Sequence, residues 1–134
     1  MNLEILFELK PRNNPNKPGR ELYVVYDKRY PIVPEFEINY EYFVEFQDKG
    51  SVAGNHYHKT KREIFIPISG DFEVLLIDLA TKETKTIDLK ESDHKALYIP
   101  TMIAHRVTSK NEKSKLLVLA TSPNEDDDEF GYVG

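Results

Sequence analysis

The stretch from Arg62 to Asp78 constrains the fold more than any other. Arg62 to Ile68 reads REIFIPI and Asp71 to Asp78 reads DFEVLLID, with Ser69-Gly70 between them. Both halves are short and dense in β-branched and aromatic residues, and Ser-Gly is a turn signal, so the pattern predicts two strands paired as a hairpin. In the first half one face carries Glu63, Phe65 and Pro67, and the other carries Ile64, Ile66 and Ile68. A strand that is apolar on both faces must be covered on both. Its outer face is therefore expected to lie under the N-terminal strands or against a second subunit, which favours a homodimer.

The rest of the chain repeats this punctuation. Further strands are expected at Leu3 to Leu9, Glu21 to Tyr26, Phe36 to Phe46, Thr84 to Leu89, Ala96 to Ile99, His105 to Ser109 and Lys115 to Thr121. Polar, Pro- or Gly-bearing stretches separate them at Pro11 to Gly19, Lys28 to Pro34, Gln47 to Ser51, Ala80 to Glu83 and Lys90 to His94. The alternation in Phe36 to Phe46 shifts near Phe43, which predicts a bulge there. About ten short strands, with no long amphipathic helix and no repeat, read as an all-β sandwich or barrel. The length of 134 residues suits one domain. Residues 1–49 are assigned to N-terminal strands, 50–122 to the barrel core and 123–134 to an acidic tail. Asn124 to Glu129 (NEDDDE) is expected to be a free, solvated loop.

Composition removes several chemistries. There is no cysteine, so disulfides, thiolate metal ligands and a cysteine nucleophile are excluded. With 18 basic and 23 acidic residues the net charge is −5, which argues against a nucleic-acid partner. No apolar run is long enough to span a membrane, and Met1 to Glu4 lacks the basic start of a secretory signal. A cytoplasmic protein acting on a small molecule is expected.

His56 and His58 stand two apart, so on a strand both imidazoles point to one side. Glu63 is at odd spacing from His58, and the polar run Lys59-Thr60-Lys61-Arg62 can turn the chain so that it rejoins them. His105 follows Pro100 at the mouth of a separate strand. Three imidazoles and one carboxylate suit a divalent transition metal: Mn, Fe, Ni, Co, Cu or Zn. A metal-free alternative is a hydrogen-bonded histidine pair that acts as base. Phe65, Phe72, Val74, Tyr98 and Val107 are expected to line the pocket.

These residues match the first cupin motif (Gly, five residues, His, one, His, four, Glu, six, Gly) at Gly50, His56, His58, Glu63 and Gly70. Of the second motif (Gly, five, Pro, one, Gly, two, His, three, Asn), Pro100 and His105 fit, while His94, Met102 and Ser109 replace the Gly, Gly and Asn. The chain thus resembles the RmlC-like cupins, which implies a double-stranded β-helix, or jelly-roll barrel. A narrower resemblance is to the WxcM-like nucleotide-sugar 3,4-ketoisomerases. It rests on Ala53-Gly54-Asn55-His56-Tyr57-His58-Lys59, Ile68-Ser69-Gly70-Asp71-Phe72-Glu73-Val74, Leu97-Tyr98-Ile99-Pro100 and the segment from Leu117 to Glu129. The resemblance implies action on a dTDP-4-keto-6-deoxy sugar, with His56 and His58 as base and partner, Tyr42 as proton donor, and no metal.

Two positions depart from that family. Ala53 replaces an arginine before the Gly, and Asn39 or Tyr40 replaces an arginine on the tyrosine strand. Arginines clamp phosphate, so both changes weigh against a diphosphate grip of that kind. Arg20, Lys59, Lys61, Arg62 and Arg106 remain as candidate anion contacts, most of them expected to be solvated. Three readings follow. One is a sugar isomerase or epimerase using His56, His58 and Tyr42. Another is a metal-dependent isomerase or dioxygenase held by His56, His58, Glu63 and His105. The third is a non-catalytic carbohydrate-binding cupin.

Overall fold

The computed structural model describes residues 5–12 and 18–132. Leu3 and Glu4 of the first expected strand, and residues 13–17 of the first expected loop, lie outside them. The strands are β1 (Leu6–Glu8), β2 (Lys10–Pro11), β3 (Tyr23–Val24), β4 (Tyr40–Phe46), β5 (Val52–Tyr57), β6 (Glu63–Ser69), β7 (Phe72–Asp78), β8 (Thr84–Leu89), β9 (Lys95–Ile99), β10 (Ile103–Ser109), β11 (Ser114–Ala120) and β12 (Phe130–Gly131). Short 3-10 turns at Glu91–Asp93 and Asp126–Asp128 are the only helical elements among the described residues. The long strand expected from Phe36 begins at Tyr40, and the one expected over Glu21 to Tyr26 shrinks to two residues.

Two antiparallel five-stranded sheets face each other, in the orders β1-β9-β6-β11-β4 and β12-β5-β10-β7-β8. This is the jelly-roll barrel that the cupin resemblance implies. The expected β6–β7 hairpin does not form. β6 pairs with β9 and β11, and β7 pairs with β8 and β10, so the turn at Gly70 carries the chain from one sheet to the other. That crossing sets Phe65 of β6 opposite Phe72, Val74 and Leu76 of β7 in one core, completed by Phe46, Leu97, Val107, Leu116 and Val118.

A second apolar layer covers the outer face of β6. Ile64 and Ile66 pack with Leu9, Val33, Phe36, Ala96 and Leu119, all buried. The chain's own N-terminal segment therefore supplies the cover that the two-faced apolar pattern demanded. Tyr98, expected in the barrel interior, lies on the face of β9 opposite Leu97 and Ile99. Its ring meets Phe36 edge-on at 6.2 Å, and its hydroxyl accepts from Arg62 at 3.3 Å.

The expected bulge near Phe43 is absent: β4 and β11 pair without a break from Tyr40↔Ala120 to Phe46↔Ser114. Tyr42, Val44 and Phe46 face inward while Phe43 stands exposed at 59%. Register shifts occur elsewhere. In β6, Ser69 opposes Lys115 and Pro67 opposes Leu116, so Ile68 is the extra residue and is exposed at 48%, contrary to its expected burial. In β5, Gly54 opposes Arg106 and His56 opposes His105, so Asn55 is the extra residue.

The acidic tail is also not a free loop. β12 pairs with β5, Phe130 opposite Tyr57 and Gly131 opposite His56, and the two aromatic rings stack at 5.2 Å. The Lys59 ammonium sits 4.4 Å from the Phe130 ring centre. These contacts hold the tail down as a strap across the end of β5.

Candidate active site

The β5 bulge builds the site. Ala53 and Val107 pair on the inward face of β5 and β10. Strict alternation would next turn Asn55 inward. The extra residue shifts parity by one and turns His56 inward opposite His105. The bulge requires Gly54, whose φ is +99° and where a Cβ would sit 2.6 Å from the His105 carbonyl oxygen. Asn55 follows at φ 67°, a left-handed conformation that asparagine tolerates. His58 lies two residues further on, in the turn that carries the chain from β5 to β6, and β6 begins at Glu63.

The three imidazoles converge. Ring centres are 4.7 Å apart for His56–His58, 4.6 Å for His56–His105 and 5.5 Å for His58–His105. One ring nitrogen from each lies within 4.8 Å of the others. Glu63 Oε1 stands 3.4 Å from His58 Nε2 and 3.5 Å from His105 Nε2. Tyr42 donates its hydroxyl to Glu63 Oε2 at 3.3 Å. His58, Glu63 and His105 are buried, and His56 is the half-exposed member. Thus all five residues singled out from the sequence meet at one place.

Backbone and tail carbonyls fix the tautomers. His58 Nδ1 lies 2.7 Å from the Asp128 carbonyl and His105 Nδ1 lies 3.3 Å from that of Ile103. A carbonyl only accepts, so each Nδ1 carries hydrogen and each Nε2 of a neutral ring presents a lone pair. Both lone pairs aim at Glu63 Oε1, itself an acceptor. His58 Nε2 and Glu63 Oε1 are accordingly buried without a hydrogen-bond partner. His56 Nδ1 is bound 2.9 Å from Glu129 Oε1, which leaves its Nε2 for the cavity.

Burial drives the His105 pKa down to about 4, with Glu63 opposing, and also lowers that of His56, with His58 adding to the effect. Both rings are neutral near pH 7. Burial alone would raise the Glu63 pKa, but His58 and His105, as imidazolium ions in the acid range, and the Lys61 ammonium outweigh it and hold the carboxyl at about 2. Burial first, then Glu63, raises the Tyr42 pKa well above the ordinary phenol value, so the hydroxyl keeps its proton. Neutral bases, an ionised carboxylate and a protonated phenol thus face one cavity of about 70 Å³, lined also by Phe65, Val107 and Val118. A larger cavity of about 660 Å³ lies between β1 and residues 24–32 and contains none of these groups.

The WxcM-like, C-terminal (FdtA) family profile matches residues 8–132. The chain belongs to that family. Among solved structures it is similar to WlaRA, a TDP-fucose-3,4-ketoisomerase from Campylobacter jejuni, with 27% identity, a TM-score of 0.77, and 93% of this chain and 86% of that one covered. It is also similar to a variant of the 3,4-ketoisomerase QdtA from Thermoanaerobacterium thermosaccharolyticum in complex with TDP-4-keto-6-deoxyglucose, with 25% identity, a TM-score of 0.75, and 93% and 84% covered. The dTDP-4-dehydrorhamnose 3,5-epimerase of Bacillus anthracis shares the fold at 14% identity, with a TM-score of 0.79 and 94% and 76% covered. No curated protein sequence matches the chain. No helix among the described residues is long and apolar enough to cross a membrane.

Three residues at this site were not singled out from the sequence as part of it. Lys61, expected at the surface, is 3% exposed, with Nζ 3.8 Å from Glu63 Oε2 and in contact with Asn124 Oδ1. Its spacing of two from Glu63 was the available signal, since both then share a face. Asp128 and Glu129 reach His58 and His56 from the strap, and nothing local in an acidic run signals such contacts. The other cations differ in use. Arg62 donates to the Glu35 carbonyl at 2.8 Å on the outer layer, and Arg106 borders a shallow pocket with Asn55 and Tyr132.

Proposed function

We propose that this protein is a nucleotide-sugar ketoisomerase that moves a carbonyl between C4 and C3 of a 4-keto-6-deoxyhexose. The observation that carries the reading is the pairing of a neutral, half-exposed His56 with a protonated Tyr42 around one cavity, in a chain of the WxcM-like family.

The chemistry needs a base beside a carbonyl and a donor to the oxygen that becomes negative. His56 Nε2 takes the C3 proton, and the C–H electrons form the C3–C4 double bond as the C4 oxygen gains charge. Tyr42 turns its single O–H from Glu63 Oε2 to that oxygen as hydrogen-bond donor. The C4 oxygen takes up a proton as the C3 oxygen loses its own, and His56 returns the abstracted proton to C4, so the transfer is complete with no external oxidant. Glu129 holds His56 by Nδ1 and stabilises the imidazolium formed when the ring accepts the proton. The cavity admits the reacting edge of the hexose, and the nucleotide extends outward past His56. Ala53 leaves that path without the arginine of related sequences, so the diphosphate has to be held by other groups.

We further propose that His58, His105 and Glu63 hold a divalent transition ion, with His56 Nε2 left free as the base. Two observations support it. A buried imidazole nitrogen and a buried carboxylate oxygen lack partners. The spacings of 3.4 and 3.5 Å match the edge of a tetrahedron with bonds of about 2.1 Å. Such an ion would supply Lewis-acid polarisation of the sugar carbonyl. A homodimer is proposed as well, supported by the exposed Phe43 and Ile68 on the outer sheet face.

Proton NMR of tag-free protein mixed with dTDP-4-keto-6-deoxyglucose tests the main reading. Appearance of the 3-keto isomer is expected. A sugar nucleotide that binds without turnover would replace the enzyme by a carbohydrate-binding cupin. Elemental analysis of the same preparation is expected to find one metal ion per chain, absent from His105→Ala; a metal-free, active wild type would refute the metal.

A further inference from the structure

We propose that Asp128 is a positioning residue that selects the tautomer of His58; this rests on the reading of the histidine cluster as the proton-transfer site. Its carboxylate clamps the turn between the two sheets. Oδ1 accepts the backbone N–H groups of Lys59 and Thr60, and Oδ2 that of Lys61, each at 2.9 Å. Its own N–H donates to the Glu125 carbonyl at 3.0 Å. Its carbonyl oxygen accepts His58 Nδ1–H at 2.7 Å. One residue thus fixes both the turn leading to Glu63 and the ring beside it.

The selection runs against a competitor. A neutral imidazole has one N–H. Glu63 Oε1, 3.4 Å from Nε2, is a charged acceptor that would hold that hydrogen on Nε2. The Asp128 carbonyl holds it on Nδ1 instead, and the visible consequence is the unpaired Nε2 and Oε1 in the buried cluster. The carbonyl stays in place because the three turn N–H groups anchor its side chain, and because β12 and the Phe130–Tyr57 stack anchor the residues that follow. Released from the clamp, His58 would give its hydrogen to Glu63. The lone pair that faces the cluster would then be lost, without any change in the identity of the site residues.

The test compares wild type with Asp128→Ala and Asp128→Asn, all treated with a chelator, by imidazole ¹⁵N NMR at neutral pH. Wild-type His58 is expected to show a protonated Nδ1 and an unprotonated Nε2, and Asp128→Ala the reverse. Asn sets an NH₂ group against the turn N–H groups, so Asp128→Asn is expected to show both forms. In turnover, Asp128→Ala is expected to lose tenfold or more in kcat with KM changed less than twofold. A wild-type tautomer pattern in Asp128→Ala would overturn the proposal, as would two protonated nitrogens in the wild type. Should Asp128→Ala fail to fold, the Asn variant decides on the same criterion. Inverted tautomers in a protein with no activity on any nucleotide sugar would leave this inference standing and remove the proposed function.

Discussion

Replacing Gly54 by alanine tests whether the β5 bulge builds the site. The new Cβ would lie 2.6 Å from the His105 carbonyl oxygen and 3.3 Å from the Arg106 Cα, both backbone atoms that cannot rotate aside. Ordinary contact starts near 3.4 Å, so β10 must retreat by about 0.8 Å, the difference between 3.4 and 2.6. Overpacking of this kind costs about 1–3 kcal/mol. Holding a non-glycine residue at positive φ adds about 1–2 kcal/mol, and the stiffer unfolded chain returns about 0.4–1. The net expectation is a loss of about 3 kcal/mol. Urea unfolding followed by circular dichroism measures it, and with a slope of about 2 kcal/mol/M the midpoint should fall by about 1.5 M. Gly50→Ala is the control, because its φ is +88° but a Cβ there meets nothing within 4 Å. It should show the backbone cost alone. A shift of this size between His56 and His105 also predicts a loss of up to about 100-fold in kcat. Equal midpoints for the two variants would refute the close approach of β5 and β10 as the reason for the glycine.

Other consequences follow from the same structure. Met102 holds φ 64° at an exposed turn, where the cupin motif has glycine, so Met102→Gly is expected to stabilise the fold by about 0.5–1 kcal/mol in thermal melts. Glu63→Gln strands the Lys61 ammonium in the interior and is expected to cost about 3–5 kcal/mol. Adding Lys61→Met should recover most of that loss, and additive losses in the double variant would refute the pairing. In chelator-treated protein, the lowered pKa of His105 contributes stability that is full above about 6.5 and is lost as pH falls towards 4. Glu63 contributes stability that is full above about 4.5 and is lost as pH falls towards 2. Melting temperature should therefore fall continuously on acidification from pH 7, and a flat profile between pH 7 and pH 4 would refute the neutral, buried His105.

The parts legible from sequence were those set by short-range periodicity or fixed spacing. Phe65 between Ile64 and Ile66 identified a strand covered on both faces, and the spacing of His56, His58, Glu63 and His105 placed four residues at one focus. Register was not legible in the same way. Asn55 turns His56 inward by a bulge that no local composition announces, whereas the aromatic run around Phe43 suggested a bulge where the pairing is regular. The turn at Ser69-Gly70 reads as a hairpin because a two-residue Gly turn is local, but the pairing partners of β6 are set by β9 and β11, which come later in the chain. The strap escaped notice for a related reason. An acidic run normally stays in water, and Asp128 is held only because three backbone N–H groups of a distant turn point at it.

The most direct measurement is isotope exchange with the substrate in D₂O. Wild type is expected to incorporate solvent deuterium at carbon beside the carbonyl of dTDP-4-keto-6-deoxyglucose as the 3-keto isomer forms. His56→Asn, which cannot accept the proton, should abolish both exchange and isomer while leaving the melting temperature within a few degrees. Undiminished exchange in His56→Asn would contradict the assignment of the base, and absence of exchange and isomer with the wild type would contradict the proposed reaction itself.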